Sequence, residues 1–130
     1  MNGPAPGAPV SPHKGKTGVE RLRRAFFYSV EGLSAAYRNE DAFRQEVLLT
    51  LLLVPAALLT PVSGTAKALL IGSVLLVLVV ELLNSAIEAV TDRISIEDHV
   101  LAKQAKDMGS AAVLVALVML AVVWALVLLA

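Results

Sequence analysis

From residue 108 to residue 130 the chain runs for 23 positions without a charged side chain, and that run limits the fold more than any motif does. About 20 apolar residues in a helix cross the hydrocarbon core of a bilayer. A second run, at 68–90, is equally long but contains Glu81, Asn84, Ser85 and Glu88. A third, at 42–59, has a clean stretch of only 13 residues, 47–59, and carries Pro55. It must use residues 42–46 as well, or thin the bilayer around it, and Pro55 is placed to kink it. The expected fold class is therefore all-α and integral to a membrane, with spans at 42–60, 66–91 and 108–130. Composition agrees: 57% of residues are hydrophobic, 17% are charged, the formal net charge is +0 and cysteine is absent. That balance excludes a disordered chain, a disulfide-stapled secreted domain and a basic nucleic-acid binder, so no nucleic-acid partner is expected.

The segments around the spans have their own signatures. Residues 1–17 hold Pro4, Pro6, Pro9 and Pro12 with several glycines; they read as a disordered leader and lack the apolar core of a signal peptide. Gly15-Lys16-Thr17 imitates the end of a phosphate-binding loop, but the earlier glycine that such a loop needs falls on Val10 and no strand precedes it. From Gly18 to Arg38, Val19, Leu22, Phe26, Val30, Leu33 and Tyr37 recur at spacings of three and four, with Arg23, Arg24 and Glu31 off the stripe. This pattern predicts an amphipathic helix lying in the membrane interface. Asn39 is the expected N-cap of the first span, and Thr65 that of the second, after the turn at 60–65. Residues 92–107 read as a charged loop.

Lysine and arginine set the orientation. Seven occur up to Arg44, one (Lys67) lies between the first two spans, three lie between the last two, and none follows. The N-terminus and the second loop are expected in the cytoplasm, with the C-terminus outside and Trp124 as its interface anchor.

The chemistry begins with the carboxylates in the second span. At helical spacing Glu81, Asn84, Ser85, Glu88 and Asp92 share an arc of about 100°. An ionisable group in hydrocarbon costs roughly 2.5–3.5 kcal/mol on insertion scales, so the face needs an interior, a partner or a ligand. A plain hydrogen-bonded seam between helices would satisfy Asn84 and Ser85 equally well. Against that stands a gathering of charge at one membrane depth. Glu88 and Asp92 end the second span, Glu40 and Glu46 begin the first, and Glu97, Asp98, His99, Lys103, Lys106 and Asp107 fill the loop. Carboxylate oxygens suit Mg²⁺, cations beside them suit phosphates, and a deeper glutamate can take a proton from a lipid hydroxyl. These are the parts of phosphoryl transfer. Residue types alone do not say which glutamate is base and which is metal ligand. Ala105, just before the third span, forms a small-residue stripe with Gly109, Ala112 and Ala116 within it. Three spans cannot enclose a polar face, so self-association is expected.

The run Glu81-Leu-Leu-Asn84-Ser85-Ala-Ile-Glu88-Ala-Val-Thr-Asp92-Arg93, followed by Ala105-Lys106-Asp107-Met108-Gly109-Ser110-Ala111-Ala112, resembles the signature of the small bacterial integral-membrane diacylglycerol kinases. Asn39-Glu40, with Ala42-Phe43-Arg44-Gln45-Glu46, resembles that family's first-span entrance. The resemblance extends from about Arg21 to the C-terminus. It implies a helical-bundle homotrimer in the bacterial inner membrane, with three spans and a surface helix per chain and sites between subunits. The implied reaction moves the γ-phosphate of ATP, with Mg²⁺ as cofactor, to diacylglycerol and gives phosphatidic acid. Position by position, Glu81 would be the general base, and Glu40 and Glu88 the metal ligands. Arg21, Tyr28, Glu40, Glu88, Glu97, Asp98, His99, Lys106 and Asp107 would contact ATP. Ala42, Phe43, Arg44, Gln45, Glu46, Glu81, Asn84 and Ser110 would border the lipid. Ser95-Ile96 and Lys103-Gln104 depart from the family pattern in the nucleotide loop.

Two other readings compete. Undecaprenol is the alternative lipid substrate within the same family. A non-enzymatic membrane subunit or small ion-conducting oligomer would also bury carboxylates on one helix face, but it would have no need of Lys106 or Glu40. A proton-coupled carrier is disfavoured, because the spans show no paired interrupted helices.

Overall fold

The computed structural model describes residues 17–93 and 100–130. They form four helices, α1 (Gly18–Asn39), α2 (Asp41–Leu59), α3 (Gly64–Thr91) and α4 (Val100–Leu129), and no strand occurs among the described residues. The chain divides into two compact units, Met1–Ser34 and Ala35–Ala130. In the second unit α3 packs against both α2 and α4.

Helices α2, α3 and α4 are each long and apolar enough to cross a membrane, as the three runs imply. At about 1.5 Å per residue, the 19 residues of α2 reach roughly 28 Å, close to the hydrocarbon thickness, and helix formation continues through Pro55. The 28 residues of α3 and the 30 of α4 exceed that thickness, so their ends project into the interface or beyond. Helix α4 begins at Val100, so residues 100–107, read from sequence as loop, form its first two turns. Glu97, Asp98 and His99 lie outside the described residues.

The helix ends correct two capping expectations. Asn39 is the last residue of α1, and Glu40 takes the N-cap position of α2 without a side-chain cap bond. The α3 cap is Ser63, whose Oγ accepts from the Ala66 amide at 3.1 Å; Thr65 already lies inside the helix. Arg44 stitches α1 to α2 instead. Its guanidinium donates to the carbonyls of Tyr37 (2.8 Å) and Arg38 (3.0 Å) and pairs with Asp41. It satisfies C-terminal carbonyls of α1 that the helix itself leaves open. Across the turn at 60–63, Lys67 donates to the Leu58 carbonyl at 2.9 Å.

The buried residues of α3, namely Leu70, Ser73, Val74, Val77, Glu81, Asn84 and Thr91, fall on one arc of about 100°. An apolar seam thus turns polar towards its C-terminal end without leaving the helix face. Three contacts tie this face to α4. Trp124 Nε1 donates to the Leu70 carbonyl at 3.2 Å, Gly109 lies against Asn84, and Lys106 Nζ donates to Asp92 Oδ1 at 2.9 Å. Positions advance on α3 as they fall back on α4, so the two helices run antiparallel. Trp124, expected as an interface anchor, spends its indole N–H on α3. Lipid tails are as apolar as leucine, so close packing and hydrogen bonds, not the hydrophobic effect, hold such helices together. The buried Gly109 and Ala116 of α4 supply the close approach, whereas Ala112 of the same stripe is exposed.

Candidate active site

Glu81 is the deepest ionisable group of α3, with 5% of its surface exposed. Its placement follows from helical periodicity, because Val77, Glu81 and Asn84 succeed one another on the buried face. The carboxylates of Glu46, Glu88 and Glu40 all lie within electrostatic reach of Glu81. Helix α2 and its cap therefore bring Glu40 and Glu46, both half-buried, to the acidic face of α3. Four carboxylates share one neighbourhood, an arrangement that like-charge repulsion opposes unless protons or cations offset it.

Asn84 sits between Glu81 and Glu88 and is 8% exposed. Its Nδ2 donates to Glu88 Oε1 over 3.4 Å, while its Oδ1 and the neighbouring Ser85 Oγ are buried without a partner. A buried acceptor left without a partner would cost about 1–3 kcal/mol, so this pair of atoms offers hydrogen-bonding capacity that the chain itself does not use. At the C-terminal end of α3 the sign of the charge changes. Lys106 pairs with Asp92 and also lies within electrostatic reach of Glu88. Both partners are about half-exposed, which leaves the ammonium able to exchange Asp92 for a phosphate oxygen. Asp107 pairs with Lys103 at 2.8 Å on the exposed side of α4.

The structure thus brings Glu40, Glu46, Glu81, Asn84, Glu88 and Lys106 together. Of the other expected lipid neighbours, Phe43 is buried with 2% exposure, Arg44 is committed to the end of α1, and Ala42, Gln45 and Ser110 are exposed. Arg21 and Tyr28 belong to the first unit. There the ring of Tyr28 meets Phe27 edge-on with centroids 6.5 Å apart, and both rings line a recess of about 310 Å³ with Arg23 and Arg24. In the same unit Glu20 pairs with Arg23 at 3.0 Å and Arg24 at 3.3 Å. Those hydrogen bonds, Arg23's first, lower its carboxyl from the ordinary 4.5 to about 2.

Among the described residues no group of three or more histidine, aspartate or glutamate side chains is arranged to hold a metal. Two carboxylates still fit Mg²⁺, which usually takes one or two from the protein and completes its shell with waters and substrate phosphates. Sequence reasoning gathered the acids but missed two relations: the Lys106–Asp92 pair across the α3–α4 connection, and Gly109 as the neighbour of Asn84. The only signal for the first was opposite charge at the two ends of that connection, and for the second a glycine within a small-residue stripe.

Known proteins resemble this chain along nearly its whole length. The family described as prokaryotic diacylglycerol kinase matches residues 27–128. The chain belongs to the prokaryotic diacylglycerol kinase family. A diacylglycerol kinase of Pseudomonas aeruginosa is 56% identical over 119 residues, covering 92% of this chain and 97% of the relative. One from Escherichia coli is 52% identical over 112 residues, 86% of this chain and 92% of the relative. One from Helicobacter pylori is 44% identical over 119 residues, 92% of each. The family match takes in the whole gathered set from Glu40 to Lys106, and Tyr28 also, whereas Arg21 precedes it. Membership in the diacylglycerol kinase family fits the three membrane-length helices and the acidic face of α3.

Proposed function

We propose that this protein transfers the γ-phosphate of ATP to the primary hydroxyl of diacylglycerol, giving phosphatidic acid and ADP. Support comes from the names of its relatives and from one observation above all: Glu81 is buried on the same face of a membrane-length helix as Glu88, with Lys106 at that helix's end. A lipid hydroxyl and a triphosphate approach from different phases, and a stripe running from hydrocarbon towards water can receive both.

In this reading Glu81 accepts the proton of the lipid hydroxyl as its oxygen bonds to the γ-phosphorus and the bond to the β-phosphate oxygen breaks. Lys106 holds phosphate oxygens by charge-assisted hydrogen bonds. Glu40 and Glu88 would hold Mg²⁺, which when bound offsets the charge of the phosphates. Asn84 keeps the Glu88 carboxylate in place. Phe43 and Glu46 border the lipid beside Glu81, and Arg21, Tyr28, Glu97, Asp98, His99 and Asp107 are the remaining residues proposed to contact the nucleotide. The chain works as a homotrimer in the inner membrane, its N-terminus cytoplasmic and its C-terminus periplasmic. Self-association is supported by α4, whose surface is left largely uncovered by its own chain, and a neighbour's helices would shield the polar face of α3 from lipid.

The test is direct. Purified protein in detergent micelles is given ATP, Mg²⁺ and either a short-chain diacylglycerol or undecaprenol. Phosphatidic acid as the faster product supports the reading. Preferential phosphorylation of undecaprenol replaces the substrate, and absence of phosphotransfer to either lipid defeats the reading.

A further inference from the structure

Gly109 has a tighter surrounding than any other described glycine. A Cβ built there would collide with Asn84 Oδ1 and stand 3.3 Å from Asn84 Cγ and 3.6 Å from Ile87 Cδ1. Gly18, Gly32, Gly64 and Gly72 have open space at the same position. The carboxamide of Asn84 thus fills the volume that a side chain at 109 would take, and Gly109 itself is buried. The contact points at the atom already singled out by its lack of a partner, because Asn84 Oδ1 is buried and unbonded while Nδ2 faces Glu88. A glycine Cα–H beside a carbonyl oxygen offers a weak interaction at most. The amide is thus oriented from two sides, by the long 3.4 Å bond from Nδ2 to Glu88 Oε1 and by the space that α4 leaves open for Oδ1.

We infer that Gly109 is a positioning residue: the missing side chain on α4 seats Asn84 so that its amide nitrogen holds the Glu88 carboxylate on the acidic face of α3. The stripe of small residues then has two separate tasks. Ala116 lets the helices approach, whereas Gly109 sets the geometry of a polar side chain one turn from the metal-binding carboxylate. A methyl group at 109 would collide with Asn84 Oδ1 and crowd Cγ at 3.3 Å, and turning the carboxamide away from it also turns Nδ2 away from Glu88.

The inference rests on the role proposed for Glu88, and a double-mutant cycle separates the two. Mg²⁺-dependent binding of a non-hydrolysable ATP analogue is measured in micelles for the wild type, Gly109→Ala, Asn84→Ala and the double variant, with thermal unfolding of each. Gly109→Ala should weaken Mg²⁺-dependent binding about tenfold, the effect of one hydrogen bond to a charged group, and should leave the KM for diacylglycerol within about twofold of the wild type. In the Asn84→Ala background the glycine substitution should cost nothing further, because its obstacle is gone. If Gly109→Ala alone fails to fold, the double variant should recover folding for the same reason. Equal weakening in both backgrounds, unchanged binding in Gly109→Ala, or a double variant that stays unfolded overturns the inference. A wild type that binds no analogue in the presence of Mg²⁺ defeats the kinase reading, and this inference with it.

Discussion

Lys106 Nζ reaches Asp92 Oδ1 over 2.9 Å and joins the first turns of α4 to the last residue before the connection from α3. The two positions lie 14 apart in sequence, and their pairing puts a cation beside the acidic face.

The exposure of that pair decides what it does. Half-exposed ion pairs contribute about 0–1 kcal/mol to stability, so Lys106→Ala should lower the melting temperature by only a few degrees. Its effect on nucleotide use should be larger. The KM for ATP should rise about tenfold or more, as expected for loss of a charge-assisted hydrogen bond. Asp92→Asn should leave turnover within a few-fold of the wild type. Steady-state kinetics with varied ATP checks both; an unchanged KM in Lys106→Ala would remove Lys106 from the phosphate contacts.

Trp124 is predicted to serve stability alone. Trp124→Phe keeps an aromatic ring but removes the donor to the Leu70 carbonyl, which already accepts from Ser73 Oγ at 2.8 Å. The loss should be about 1 kcal/mol, read as a lower unfolding midpoint, with kcat unchanged at saturating substrates.

The acidic stripe of α3 was legible because helical periodicity is a property of the chain alone, so Glu81, Asn84 and Glu88 were placed on one face before any partner was known. The spans were legible because the length of an apolar run is likewise a property of the chain alone. Capping was not, since Ser63 and Thr65 present the same hydroxyl two residues apart and only the path of the turn chooses between them. Contacts across helices were not legible either. Gly109 meets Asn84, and Trp124 meets Leu70, because of the register between two antiparallel helices, and residue types do not set that register. The bonds from Arg44 to the open carbonyls at the end of α1 were not legible for the same reason, since they depend on the path of the chain between α1 and α2.

The surface helix carries a pH signature of its own. Glu20 has its folded pKa depressed from 4.5 to about 2 by Arg23 and Arg24. The support these pairs give to α1 is therefore fully present above pH 4.5 and is lost as pH falls towards 2. A titration followed at the Glu20 carboxyl carbon by NMR should show a midpoint near 2, and Arg23→Ala should move it back towards 4.5. A wild-type midpoint near 4.5 would mean that the pairs do not form in solution.

No glycine-rich loop covers the phosphates in this sequence, unlike the soluble kinases. Water should therefore reach the transferring group, and ATP hydrolysis without any lipid should be measurable above a Glu88→Ala control. A rate equal to that control would indicate a site closed to solvent.

The central claim is that Glu81, sunk in the membrane, takes the proton from the lipid. It is tested most directly by the rate of phosphatidic acid formation in Glu81→Gln. Glutamine keeps the volume and hydrogen-bonding reach of the side chain but accepts no proton. The account predicts a fall in kcat of about 10²–10⁴-fold with folding and Mg²⁺-dependent nucleotide binding retained; turnover within a few-fold of the wild type would contradict it.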